Sequence, residues 1–201
     1  ILRKYARGED DEPVRLHKEK EDLKSIGNSS TLPVSLTDRE EIKRWFYVLS
    51  ESVTGRLRES DVGRASTVHI VVRDDNLEDK TWQTKIPPTM LCSEVAETAF
   101  RLFCENWPIA KPVRMLGVTI SGFDYHVEQM SFVDFFSDGE NRKKKERVEN
   151  AVFEIRKKYG YATLQRGVVI ADEKLSGLDL RKENQPRTGE KSQEEKRETK
   201  E

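Results

Sequence analysis

Soft metal ligands are scarce in this chain of 201 residues, which has two cysteines and three histidines. Cys92 and Cys104 form no Cys-x-x-Cys pair, and His17, His69 and His126 are scattered, which argues against a zinc site. Unpaired cysteines of this kind suit a reducing cytoplasm, where the chain is expected to work. Long apolar runs are also missing. The longest, Ile70-Val71-Val72 and Val168-Val169-Ile170-Ala171, are far too short to cross a membrane, and no secretory signal pattern is present, so no membrane partner is expected. An excess of either charge is lacking too: the net charge of −1 argues against coating nucleic acid by bulk charge, yet allows a local basic face. No phosphate-cradling Gly-rich loop and no Ser-His-Asp or Cys-His arrangement occurs.

Apolar residues make up 35% of the chain and charged ones 36%, against about 45–50% and about 25% in ordinary domains. One domain with solvated extensions is therefore expected, not two domains. The stretch 181–201 has no apolar side chain beyond Pro186 and reads as a disordered charged tail; residues 9–23 read as a linker. The chain begins at Ile1 inside a charged, helix-like stretch (residues 1–8), as the back end of something longer would.

Thr37-Asp38-Arg39-Glu40 has the form of a capping box with Thr37 as cap, and Ile42, Phe46, Leu49, Val53 and Leu57 then recur at helical spacing. The period changes to two at Val68, Ile70 and Val72, a turn falls at 74–79, and a second strand runs near 81–86 to an expected stop at Pro87-Pro88. A second amphipathic helix from Cys92 turns Val95, Ala99, Leu102, Phe103 and Trp107 inward. Residues 113–121 read as a last strand and 24–30 as an opening one. The order is strand, helix, strand, strand, helix, strand. It predicts an α+β, ferredoxin-like split βαβ fold (βαββαβ) over 24–123, a four-stranded antiparallel sheet with two helices on one face. A third helix follows within 138–180, with Val148, Ala151, Val152, Ile155 and Tyr159 as its apolar stripe and Gly160 as its end.

The uncovered sheet face would carry Thr67, His69, Arg73, Gln83, Lys85 and Arg114, donors that match phosphate oxygens, although a solvated face is the commoner reading for such a fold. Trp82 reads as core. Past the last strand, residues 124–137 hold an aromatic peptide, Gln129-Met130-Ser131-Phe132-Val133-Asp134-Phe135-Phe136, among acidic and polar residues. It suits either a partner's groove with an apolar pocket or this domain's own core. The basic run Arg142-Lys143-Lys144-Lys145 opposes the dipole at a helix start, so it serves solvation or phosphate contact and not helix stability.

Several stretches resemble one family. These are Ala6-Arg7-Gly8-Glu9-Asp10-Asp11, the run from Lys24 to Pro33, Leu36-Thr37-Asp38-Arg39-Glu40-Glu41, Pro112-Val113-Arg114-Met115-Leu116-Gly117-Val118, and Ile155 to Tyr161 with Gln165-Arg166-Gly167 and Lys174 to Leu178. Together they are similar to the C-terminal part of Y-family translesion DNA polymerases of the DNA polymerase IV and UmuC-like group, in a Gram-positive version. The resemblance implies the end of a thumb domain (1–8) and a little-finger domain that holds primer–template DNA. It implies error-prone bypass of damaged DNA, as in DNA repair and the SOS response. By the resemblance, Lys24, Ser25, Ile26 and Gly27 would carry backbone-amide contacts to template phosphates, and the aromatic peptide would be the sliding-clamp motif. Its register stays open between Gln129 with Met130, Ser131, Phe132 and Val133, and Gln129 with Phe132, Phe135 and Phe136. Where related sequences often have arginine in one strand, this chain has Trp82 and Thr84.

The same resemblance implies that the catalytic carboxylates and their Mg2+ ions belong to a palm domain that would precede Ile1. Asp74-Asp75 and Asp10-Asp11 read as turn and linker residues, since neighbours on a strand point to opposite faces and cannot share two ions. The expectation is a monomer without cofactor or catalysis of its own. The alternative is a free-standing clamp- or nucleic-acid-binding protein with no polymerase role; an upstream reading frame encoding a palm would distinguish the two.

Overall fold

The computed structural model describes residues 2–9, 23–60, 62–124, 139–170 and 175. After a short helix α1 (Leu2–Tyr5) come β1 (Ser25–Leu36), α2 (Arg39–Ser60), β2 (Arg64–Arg73), β3 (Asp79–Thr89), α3 (Cys92–Asn106), β4 (Val113–Asp124) and α4 (Gly139–Tyr159). A 3-10 turn (Tyr161–Thr163) and a last short helix, α5 (Gly167–Ile170), follow. The four strands form one sheet in the order β1-β4-β2-β3, with every neighbouring pair antiparallel. Each helical crossover is split: β4 lies between β1 and β2, and β2 lies between β3 and β4. The expected α+β architecture is the one observed.

Alternation in β2 explains the single core. Ala65, Val68, Ile70 and Val72 are buried, as are Val113, Leu116, Val118 and Ile120 on β4. Against them lies α2, whose Ile42, Phe46, Leu49, Val53 and Leu57 are almost completely buried, each contributing about 1.5–3 kcal/mol. From α3, Val95, Ala99, Leu102 and Phe103 join the same cluster, followed by Trp107. Trp82 packs against this cluster, edge-on to Trp107 with ring centroids 6.2 Å apart. Asn28, a buried amide on β1, donates to Ser52 Oγ at 2.9 Å and accepts from the Ser29 amide at 2.9 Å, so its polar atoms are met.

Three local readings are corrected. The cap of α2 is Asp38, not Thr37: its carboxylate accepts from the Glu41 amide at 3.1 Å, because the box shifts by one residue to Asp38 with Glu41 and places a negative charge at the helix start. Pro87-Pro88 does not end β3, which runs on to Thr89. As an edge strand it has one side free, where a missing amide costs nothing. The aliphatic stripe expected to bury α4 mostly points outward, with Val148, Ile155 and Tyr159 exposed. Gly160 does follow the helix, with φ of 94°.

What α4 turns inward is largely charged. Glu51, buried on α2, accepts from Arg156 Nη1 at 3.0 Å, Arg166 Nε at 2.8 Å and Tyr161 Oη at 2.5 Å. Glu149 accepts from Arg58 at 2.7 Å and Arg166 at 2.8 Å, and also from the Cys92 amide at 3.1 Å, which caps α3 from another helix. Burial, with Glu51 alongside, pushes the Tyr161 hydroxyl pKa well up, and burial does the same to the Cys92 thiol. Burial works against charge on Arg166, but Cys92 and the two carboxylates outweigh it and raise its pKa. The C-terminal extension is thus held against α2 and the start of α3 by ion pairs, with Glu146 and Arg142 reaching Arg64 and Pro88 at the ends of β2 and β3, and Val169 and Leu175 are buried in the core cluster.

Candidate nucleic-acid interface

The far side of the sheet is bare, and the strand register lays it out as four rows of four. Reading β1, β4, β2, β3, the rows are Ser25-Ser121-Thr67-Lys85, Gly27-Thr119-His69-Gln83, Ser29-Gly117-Val71-Thr81 and Thr31-Met115-Arg73-Asp79. Seven sequence-derived candidates, Ser25, Gly27, Thr67, His69, Arg73, Gln83 and Lys85, stand together here. Their neighbours on β1 and β4 are hydroxyl residues that the same alternation would have identified, namely Ser29, Thr31, Thr119 and Ser121.

One candidate falls off this face and another is already engaged on it. Arg114 is exposed but falls one residue out of phase, so Met115 holds the place in the row and Arg114 shares the parity of Leu116. Arg73 is on the face, yet its guanidinium is bound by Asp79 through two contacts of 2.6 and 2.7 Å. That hydrogen-bonded pairing holds the Arg73 pKa above its ordinary value and the Asp79 carboxyl below its own. Asp79 is the one carboxylate in the four rows, and it is neutralised there.

Along β1 the structure distinguishes side chain from backbone. Ile26 is buried, so only its main chain is available, whereas Lys24, Ser25 and Gly27 are exposed. The Gly27 carbonyl accepts from Arg56 Nη2 at 2.6 Å, and the Ser29 amide donates to the Asn28 side chain. A strand residue sends its N–H and C=O to the same side, so the odd-numbered residues of β1 turn both groups away from β4, onto the open edge of the sheet. The amides of Ser25 and Gly27 therefore lie on that edge beside the Arg56 guanidinium. A Cβ at Gly27 would collide with Thr119 Oγ1, so glycine keeps this corner low. Arg56 was missed in the sequence because it sits in a charged helix with no strand pattern near it; partial burial lowers its pKa.

The Asp74-Asp75 pair fits a structural role. Asp74 accepts from the Glu78 amide at 3.0 Å and pairs with Lys111 at 2.6 Å, and Asp75 accepts from Ser35 Oγ. Among the described residues no group of three or more His, Cys, Asp or Glu could hold a metal ion, and no helix is long and apolar enough to cross a membrane. Gln129, Met130, Ser131, Phe132, Val133, Phe135 and Phe136 lie outside the described residues, as do Asp10 and Asp11.

Residues 23–132 match the model of the impB/mucB/samB family C-terminal domain. The chain belongs to this family. Similar curated proteins include a DNA polymerase IV of Acetivibrio thermocellus, 34% identical over 175 residues, which covers 87% of this chain and 43% of that protein. A DNA polymerase IV of Clostridium kluyveri is 31% identical over 178 residues, 86% of this chain and 44% of the relative. DNA polymerase IV 1 of Bacillus subtilis is 31% identical over 177 residues, 86% and 41%. The chain thus spans less than half the length of these curated relatives. Among solved structures, a complex of a beta-clamp processivity factor with the little finger domain of PolIV is similar at a TM-score of 0.43 and 16% identity, covering 54% of this chain and 97% of that one.

Proposed function

We propose that this chain is the DNA-holding little finger of a translesion DNA polymerase, and that its open sheet face and β1 edge grip primer–template through phosphates. The observation that supports this most is the composition of the face. Short hydroxyl side chains and Gly27 keep it low, and its one carboxylate is neutralised. Lys24, Lys85 and Arg56 bring positive charge to its margins, and the β1 amides lie along its edge. Phosphate oxygens need donors and positive charge without base-specific geometry, and such a surface supplies both. Ser25, Gly27, Thr67, His69, Gln83 and Lys85 are assigned to the contact, with Lys24 and Arg56 at the edge. Arg73 contributes only after its bond to Asp79 opens. The aromatic peptide from Gln129 to Phe136 is assigned to a sliding clamp, on the family resemblance of its motif. The protein acts as a cytoplasmic monomer.

Binding to a primer–template duplex across several salt concentrations tests the grip. Log affinity is expected to fall linearly with log salt, with a slope of about −0.9 per phosphate neutralised, and to depend little on sequence. A salt-independent affinity, or strong preference for one sequence, would refute it.

The chain is further expected to incorporate no nucleotide with Mg2+ or Mn2+, because Asp74 and Asp75 serve a turn and local pairing and do not converge on two ions. Primer extension with purified chain checks this. Extension that persists after contaminating polymerases are removed would show that catalytic carboxylates lie within these residues.

A further inference from the structure

The outer face of α4 combines an apolar stripe with a cationic rim. Val148, Ala151 and Ile155 follow one another at heptad spacing, with Tyr159 beside them. Val148 is 56% exposed, Ile155 36% and Tyr159 63%, although the same helix has Val152 and Phe153 available to pack inward. Lys144 and Lys158 close the stripe at its two ends, Lys143 and Arg147 flank it, and Glu154 is the only carboxylate beside it among the described side chains; all five are exposed. The other described acids of the helix are turned the opposite way, Glu146 to Arg64 and Glu149 to Arg58 and Arg166. Arg142 and Arg156 turn inward to acceptors on the domain, but the remaining described cations lie outward with Glu154 as a lone counter-charge, a bias that stability of an isolated helix does not require. Lysines in the first turn even oppose the dipole.

Three kinds of occupant can be compared on charge and cover. A second copy of the chain would set Lys144 against its own equivalent in a parallel pairing or against Lys158 in an antiparallel one, and like charges repel in both. Duplex DNA would satisfy the rim but leave Val148, Ile155 and Tyr159 in water, since phosphate contacts need no apolar centre. A helix with an apolar seam flanked by carboxylates satisfies both parts of the face at once. We infer that the outer face of α4 docks an acidic amphipathic helix of a partner protein, at a surface separate from the DNA-facing sheet.

The probe is a synthetic peptide of about three heptads with Leu at positions a and d and Glu at e and g, measured against the full chain by fluorescence anisotropy. Two controls are a scrambled peptide of the same composition and a version with Lys at e and g. Binding of the striped acidic peptide is expected, with the scrambled and basic versions at least tenfold weaker. Ile155→Glu and Val148→Glu should each weaken it at least tenfold, and Val148→Glu should do so with little change in melting temperature, because that side chain is more than half exposed. Lys143→Glu with Lys144→Glu and Arg147→Glu should transfer preference to the basic peptide, a reversal that misfolding cannot mimic. Equal affinity for the scrambled peptide would overturn the proposal. So would displacement of the acidic peptide by duplex DNA, concentration-dependent dimerisation lost in Ile155→Glu, or no binding to any of the three peptides.

Discussion

Replacing Glu51 by Ala is expected to release the C-terminal extension from the domain and to destabilise the protein by about 3–5 kcal/mol, the usual cost of leaving a buried charge without its counterpart. Glu51 is the shared acceptor for Arg156, Arg166 and the Tyr161 hydroxyl, and Arg156 is itself buried. Without the carboxylate, two guanidinium groups and a hydroxyl lose an acceptor in a place that water reaches poorly. For a protein of this size, roughly 2–4 °C per kcal/mol implies a melting temperature lower by roughly 6–20 °C. Amides of α4 should lose hydrogen-exchange protection before those of β2 and β4. A control lies on the same helix: Glu146 pairs with Arg64 at 3.0 Å in a more exposed setting, so Glu146→Ala should cost only about 0–1 kcal/mol. Equal effects from the two substitutions would show that the Glu51 cluster does not hold the extension.

The second large effect concerns the aromatic peptide. If Gln129 to Phe136 anchors a sliding clamp, Gln129→Ala combined with Phe132→Ala should weaken clamp binding more than roughly tenfold, since a buried aromatic anchor typically carries about 2 kcal/mol or more. Folding and DNA affinity should not change. Were the peptide part of the domain's own core, truncating a packed Phe would instead cost about 3–5 kcal/mol of stability. Thermal unfolding and clamp affinity, measured on the same variant, distinguish these outcomes. Single substitutions then choose the register: loss on Val133→Ala points to the short motif, and loss on Phe135→Ala or Phe136→Ala to the longer one.

The domain was legible where burial follows a local period. Ile42, Phe46, Leu49, Val53 and Leu57 on α2, and Val68, Ile70 and Val72 on β2, are core because hydrophobic spacing and secondary-structure period agree. The open face followed from the same alternation, and it went astray at Arg114, where the β4 register places Met115 in the row. Local pattern could not reveal α4's orientation. Its inward face is chosen by Glu51 and Arg156, 105 residues apart, and no window along the helix contains that information. A helix seated by ion pairs looks, in sequence, like one with its apolar stripe buried. Arg56 was invisible for a related reason: its value to the site comes from meeting the Gly27 carbonyl across the fold.

The claim that the bare sheet face is the DNA-holding surface is tested most directly by measuring the salt dependence of primer–template affinity residue by residue. Lys24→Gln, Arg56→Gln and Lys85→Gln should each weaken binding uniformly across sequences and reduce the magnitude of the log–log slope by about 1, as loss of one phosphate contact does. Lys144→Gln, on exposed α4 and outside the four rows of the sheet face, should leave the slope unchanged. A slope that responds to Lys144→Gln and ignores the three substitutions around the sheet would contradict the assignment.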